Sequence, residues 1–283
     1  MKRNKKDIII RKLRRAPGYI FASIWVILVF VIIAWIVLAS LSTTKEIFKG
    51  QLIASGMHWS NYKKALIANK QILNLMNSTI YTVPSCLLII LVCAPAAYCM
   101  SRFNFKGNMT FQKMILAGLS IPGIMIIMPL CTVFGRLNMS GHRYTMILLY
   151  TATAIPYTTY FLMTFFKGIS VTYEEAATID GCGQIRTFWK IIFPLAQPAI
   201  ITVTIFNFIT IWNEYFLAMI FANKNELRSL GVGLYQIVYS LMTTGDWAGL
   251  FTAVVITFVP TVVIYIFLAD KIISGVTAGG IKG

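Results

Sequence analysis

Residues 20–41 read Ile-Phe-Ala-Ser-Ile-Trp-Val-Ile-Leu-Val-Phe-Val-Ile-Ile-Ala-Trp-Ile-Val-Leu-Ala-Ser-Leu, a run without a single charge. A helix needs about 20 apolar residues to cross a hydrocarbon core. The run is longer than the apolar core of a signal peptide, and no good small-residue cleavage site follows, so an uncleaved first span is expected. Five similar runs follow. The expected spans are 19–41, 78–100, 112–134, 144–167, 199–221 and 248–269. They are read as helices because an open strand edge finds no hydrogen-bond partner in lipid. The alternating segments of a membrane barrel are absent.

Composition agrees. The chain is 58% hydrophobic and 12% charged, with a mean hydropathy of +0.74. A soluble domain carries about twice that share of charge. Lipid must therefore be the solvent of an all-α membrane protein with six transmembrane helices. The net charge of +16 is no nucleic-acid signal here, because the basic residues flank apolar runs. Lys2, Arg3, Lys5, Lys6, Arg11, Lys12, Arg14 and Arg15 form a basic arm over residues 1–18. With the N-terminus inside, inside segments hold 16 Lys and Arg and outside segments hold nine, which favours N-in and C-in.

Cys86, Cys93, Cys99 and Cys131 lie in apolar runs and Cys182 lies in an expected cytoplasmic loop. There is no Cys-x-x-Cys pair and no Cys/His cluster, so neither metal nor disulfide is expected. His58 and His142 stand alone. The connection 42–77 holds Trp59, Tyr62 and an amphipathic stretch suited to a helix on the membrane surface. The connection 222–247 has apolar periodicity of its own, which predicts a short helix. Pro122, Pro129, Pro156 and Pro260 fall inside spans, where proline either kinks a helix for gating or is simply tolerated.

The connection 170–198 is the most informative segment. It contains Tyr173-Glu-Glu-Ala-Ala-Thr-Ile-Asp-Gly181 and, further on, Ile191-Ile-Phe-Pro194. Thr172 and Glu175 have capping-box spacing, which predicts a helix starting near Tyr173. Gly181 is placed to end it in the left-handed conformation. Ala176 and Ala177 keep its surface low. A second short helix fits 184–191, and Pro198 suits the start of the next span. Any loop between membrane helices can hold such a helix, so on these grounds it is either a docking element or a local cap.

The segment resembles the signature of ATP-binding-cassette (ABC) importer permeases: Glu-Ala-Ala, three residues, Gly, nine residues, Ile-x-Leu-Pro. Glu175, Ala176, Ala177, Gly181, Ile191 and Pro194 match, and Phe193 replaces Leu. Asn77-Ser78, Ala97-Tyr98, Arg102 to Gly107, Trp212-Asn213-Glu214 and Asp246-Trp247 are similar to the carbohydrate branch. The tail Gly275 to Gly283 is similar to maltose-type (MalG-like) second permeases. The resemblance implies a type I ABC importer permease fold, with a first helix and long loop at 19–72, a core at 73–270 and a cytoplasmic tail at 271–283. It makes 173–191 the helices received by an ATPase, with Glu174, Glu175, Ala176, Ala177, Asp180, Gly181, Ile191 and Pro194 as coupling residues. The implied partners are a second permease, two ATPase subunits, an extracytoplasmic solute-binding protein and the bilayer.

The chain lacks Gly-x-x-x-x-Gly-Lys-Ser/Thr, so ATP and Mg are expected on the partner ATPase, with no cofactor on this chain. Glu214 is the lone carboxylate well inside an expected span. An acid at membrane depth costs about 2.5–3.5 kcal/mol and must face protein or water. It either lines a solute path with Asn207, Trp212, Asn213 and Tyr215, or bonds a neighbouring helix or the partner permease. Tyr150, Thr151, Thr153, Tyr157 and Thr158 suit the same path or helix packing. Aromatic faces beside amide and carboxylate groups suit a sugar. The competing classes are a secondary transporter or channel, which usually needs more mid-membrane charge, and an importer of a non-sugar solute. An enzyme is disfavoured, because no nucleophile–base set is present.

Overall fold

A computed structural model of the chain describes residues 5–280, with side chains over 16–267. The charges of the basic arm and the glycine-rich tail, with its Lys282-Gly283 end, lie outside the described side chains. In chain order the helices are α1 (Lys5–Ser40), α2 (Thr44–Lys49), α3 (Ser60–Lys63, continued by a π turn Lys64–Ala68), α4 (Gln71–Arg102), α5 (Asn108–Ser120), α6 (Ile127–Arg136) and α7 (Arg143–Gly168). They continue as α8 (Thr172–Ile179), α9 (Gln184–Thr187, extended by a π turn Phe188–Ile192), α10 (Phe193–Leu195), α11 (Gln197–Asn213), α12 (Phe216–Phe221), α13 (Leu230–Thr244) and α14 (Trp247–Gly280). No strand occurs among the described residues.

Four helical stretches are long and apolar enough to cross a membrane: Ala16–Ser40, Gln71–Arg102, Arg143–Gly168 and Trp247–Phe267. Two bent pairs bring the number to as many as six. The first of these bends corrects the sequence reading. The run 112–134 is not one continuous helix, because α5 and the helix after it meet at 101°. Pro122 has no N–H to donate and disfavours helical backbone at the residue before it. Ile121 is accordingly extended (φ −84°, ψ 118°), and a 3₁₀ turn, Gly123–Ile126, leads into α6. The run 199–221 is likewise interrupted: α11 stops at Asn213, Glu214 is extended (φ −72°, ψ 129°), and α12 begins at Phe216. A 74° bend joins the segment Gln184–Leu195 to α11, next to Pro194 and Pro198.

The chain forms two compact units, residues 1–68 with 237–256 and residues 69–236 with 257–283. In the larger unit α4, α7 and α11 pack on one another. Their shared core contains Ile89, Cys93, Ala94, Ala97, Met146, Leu149, Leu162, Phe166, Ala199 and Val203, all fully buried. Small residues such as Ala94, Ala97 and Ala199 let the backbones come close, which is how helices gain packing energy in lipid. Gly118 of α5 lies against α7: a Cβ there would come within 3.0 Å of Pro156 Cγ. At one end of α4, Asn77 donates to the carbonyls of Glu226 (2.7 Å) and Arg228 (3.0 Å). Tyr81 donates to Leu227 O (2.6 Å), and the Ser78 hydroxyl accepts from the Leu230 N–H (2.8 Å). One face of α4 thus satisfies four backbone groups of the turn before α13.

In the smaller unit, α1 presents apolar side chains all round, including Phe21, Trp25 and Phe30, as a helix solvated by lipid does. Its last carbonyls are capped by Asn61, which donates to Ser40 O and Ser42 O at 3.0 Å each. Glu46 closes a capping box with Thr43 and also accepts from Ser55 N–H (2.6 Å) and Ser55 Oγ (2.7 Å). These donors, Thr43 N–H first and then Ser55, hold its carboxyl pKa down to about 2, against the opposing effect of burial. Asp246 is raised by partial burial, but its bonds to Lys64 (2.7 Å) and Gly249 N–H outweigh that and leave it below the usual carboxylate range.

A depressed folded pKa stabilises above the unfolded value, about 4.3 for Glu, and the contribution is lost as pH falls toward the folded value. Limited proteolysis in nanodiscs should find residues 50–58 protected at neutral pH and cut progressively faster from about pH 4 downward. Glu46→Gln should be cut faster already at pH 7; equal cutting of variant and wild type there would refute the role.

Candidate functional site

The segment after α7 forms the helix expected from its sequence, with a different start. The N-cap is Val171, whose backbone is already helical (φ −64°, ψ −22°), and no side chain caps it. Thr172 is therefore a helical residue, and the capping box expected between Thr172 and Glu175 is not made. The Ser170 hydroxyl instead accepts from Thr172 N–H at 3.3 Å. The capping box that does form is Thr43–Glu46.

The C-terminal end follows expectation. Gly181 has φ +74°. Its N–H donates to Thr178 O (3.0 Å), and Cys182 N–H donates to Ala177 O (2.8 Å). This nested pair is a Schellman motif, which satisfies carbonyls that a helix end leaves open. Ala177 is buried, whereas Glu175, Ala176 and Asp180 are exposed. Ile179 is 86% exposed and Ile185 79% exposed, so isoleucines stand out on this part of the surface. Beside them a shallow groove is lined by Gly183, Gln184, Ile185, Arg186, Trp189 and Lys190. The inner side of the segment is anchored by Phe188, whose ring lies 5.0 Å from Tyr98. Ile191 is half-buried and Pro194 is exposed in α10.

Glu174 points inward, to Arg102. The Arg102 Nε donates to Glu174 Oε1 at 2.9 Å, and Nη2 donates to Ile169 O at 2.5 Å. The two side chains are only 9% and 17% exposed. Arg102 thus neutralises an acid in the first turn of α8 and caps the C-terminal end of α7, where helix dipoles favour a cation. Reading along the chain missed this pair, because its members are 72 residues apart. The available signal was a lone Arg at the end of an apolar run, which must find a partner when buried.

A cavity of about 580 Å³ lies between α7 and the end of α11. Tyr150, Tyr157, Asn207 and Glu214 line it, with Thr153, Thr210 and apolar neighbours. Tyr150 donates to Glu214 Oε2 (2.8 Å), and Asn207 donates to the Thr158 hydroxyl (2.9 Å). Five other sequence candidates, Thr151, Thr158, Trp212, Asn213 and Tyr215, are not among the lining residues. Trp212 is buried, stacks on Phe208 (5.4 Å) and donates to Thr257 O. Asn213 turns back to Ile209 O, and Tyr215 stacks on Tyr235. Glu214 has a second task. Its carboxylate accepts from Leu217 N–H (2.6 Å) and Ala218 N–H (3.1 Å), which closes the first turn of α12 where the span breaks.

A bundle of broken helices around a mainly apolar cavity that holds a few polar groups, with a capped helix between two spans, suits a membrane transport subunit. The family model of binding-protein-dependent transport system inner membrane components matches residues 88–277, and the chain belongs to that family. It is 31% identical to the diacetylchitobiose uptake system permease protein NgcG of Streptomyces coelicolor, over 90% of this chain and 85% of that protein. It is 32% identical to the sulfoquinovosyl glycerol transport system permease protein SmoH of Agrobacterium fabrum, over 88% and 87% of the two chains. The fold matches that of a bacterial ABC transporter that imports the acidic polysaccharide alginate, with a TM-score of 0.78 and 22% identity over 95% of this chain and 99% of that one. Solute transport in the inner membrane, not catalysis, is the activity of this family.

Proposed function

We propose that the chain is a permease subunit of an ATP-driven sugar importer, crossing the membrane six times with both termini inside. It supplies half of the pathway, and a second permease supplies the rest. Two ATPase subunits hold ATP and Mg, and one of them receives the 173–191 segment. A solute-binding protein delivers the sugar from outside. The carrying observation is α8: a helix closed by a Schellman motif, with exposed Glu175 and Ala176 and the exposed isoleucines 179 and 185. Ile185 also borders the groove lined by Gly183, Gln184, Arg186, Trp189 and Lys190, which offers a protein partner a concave surface. The relatives' names support sugar as the solute, and tyrosine rings beside hydroxyl, amide and carboxylate groups in the cavity suit it chemically.

The test uses membrane vesicles that contain the chain together with the products of its neighbouring transport genes. ATP-dependent uptake from a panel of labelled mono- and oligosaccharides is expected, lost when the ATPase is omitted. Equal uptake without ATPase would favour a channel or gradient-driven carrier. Uptake of peptides or amino acids in place of sugars would reject the carbohydrate assignment.

A further inference from the structure

The chain connects α8 directly to α7 before it and, through the following short helices, to α11. It does not connect α8 directly to α4, whose last residue, Arg102, lies 70 positions before Thr172. Arg102, the last residue of α4, supplies a polar link, bonded at once to Glu174 in α8 and to Ile169 O at the end of α7, next to the ring contact of Tyr98 with Phe188. Few waters can compete there, since the pair is largely buried. At its other end α4 is pinned again, through Asn77, Ser78 and Tyr81, to the backbone of the turn between Glu226 and Leu230. A 32-residue helix is about 48 Å long, enough to reach from one face of a bilayer to the other. Ile89, Cys93, Ala94 and Ala97 on its core face are fully buried against the neighbouring helices, and the helix runs without a break through Pro84 and Pro95.

We propose that Arg102 is a positioning residue that makes α4 a strut, delivering displacement of α8 to the 226–230 turn on the opposite side. This rests on the importer reading above. It goes further in assigning a second route of coupling, separate from the covalent one through α7 and α11, with a defined far end. That far end lies where a solute-binding protein would approach. Intermediacy in space is not evidence of coupling, so the test must read both ends.

The assembled transporter in nanodiscs is compared without nucleotide and with a non-hydrolysable ATP analogue, by amide hydrogen exchange. Wild type is expected to change its exchange at both 172–179 and 226–230. In Arg102→Gln the change at 172–179 persists, while that at 226–230 falls at least fivefold. Sugar taken up per ATP hydrolysed falls about tenfold. Arg102→Lys keeps the charge but lacks the planar fork that holds both partners at once, and gives an intermediate loss. If Arg102→Gln accumulates poorly, Glu174→Gln removes the same ion pair from the other side and should give the same split. A wild-type response at 226–230 in either glutamine variant overturns the strut alone. No nucleotide response at 172–179 in wild type overturns the importer reading, and the strut with it.

Discussion

Gly181→Val is expected to lower ATP-driven uptake at least tenfold while the amount of inserted protein stays near normal. Gly181 sits at φ +74°, and a Cβ there would meet nothing within 4 Å. A Cβ there creates no clash within the chain, so within the chain the substitution acts through backbone strain. Left-handed backbone costs an ordinary L-residue roughly 1–2 kcal/mol, and a β-branched residue is a genuine outlier there. That is small against the stability of the whole domain, but it corresponds to a factor of about 5–30 in a local equilibrium. The strain falls on the Gly181 and Cys182 bonds to Thr178 and Ala177, so the end of α8 and the direction of the chain leaving it are what change. Gly181→Asn, which tolerates the left-handed region, should keep most of the uptake. Normal uptake by the valine variant would remove the 173–191 segment from any coupling role.

Glu214→Ala should reduce uptake by more than 100-fold. The carboxylate serves three donors: Tyr150 O–H, Leu217 N–H and Ala218 N–H. Alanine leaves two backbone groups at the break between α11 and α12 without a partner. Each unsatisfied buried group costs about 1–3 kcal/mol, so the geometry of α12 is lost before any effect on solute. Glu214→Gln retains one carbonyl acceptor and should lose about tenfold, since each lost charge-assisted bond is worth about 1.5–3 kcal/mol. Tyr150→Phe separates the two tasks of the residue. It removes one donor to Glu214 and leaves the α12 turn intact. Uptake close to wild type in Tyr150→Phe would mark Glu214 as a structural cap. A shift in the apparent affinity for sugar, with turnover kept, would place the Tyr150–Glu214 pair in the solute path.

Glu214 also shows how far the residues could be read in advance. That a carboxylate in an apolar run must be bonded followed from the energy of placing charge at membrane depth. That its partners are the N–H groups three and four positions onward did not, because it required knowing that the helix stops at Asn213. Nothing in Trp212 to Leu217 breaks a helix by propensity: there is no proline and no glycine. The break at Pro122 is easier to anticipate, since proline inside a span either kinks the helix or is tolerated there. The size of that turn, 101°, was not in the residue types. The capping box shows the same limit from the other side. Thr172 to Glu175 and Thr43 to Glu46 have the same spacing and chemistry. The box forms only at Thr43, where the backbone before the helix is extended (φ −81°, ψ 155°) and Ser55 comes round to share the carboxylate.

What could be had from the string of residues was whatever depends on local chemistry and on solvent. Apolar run length set which stretches suit lipid, since lipid demands self-satisfied backbone over a known thickness. The α8 helix, its glycine stop and its family signature are likewise local, contained in the 20 residues from Glu175 to Pro194. Long-range pairing lay beyond that reach. Arg102 with Glu174, Asn77 and Tyr81 with the 226–230 turn, and Tyr150 with Glu214 join residues 64 to 151 positions apart. Each pair answers a requirement visible in one residue, a buried charge or a buried amide that needs a partner. Which partner meets it depends on how α4, α7 and α11 pack, and packing is a property of all their side chains together.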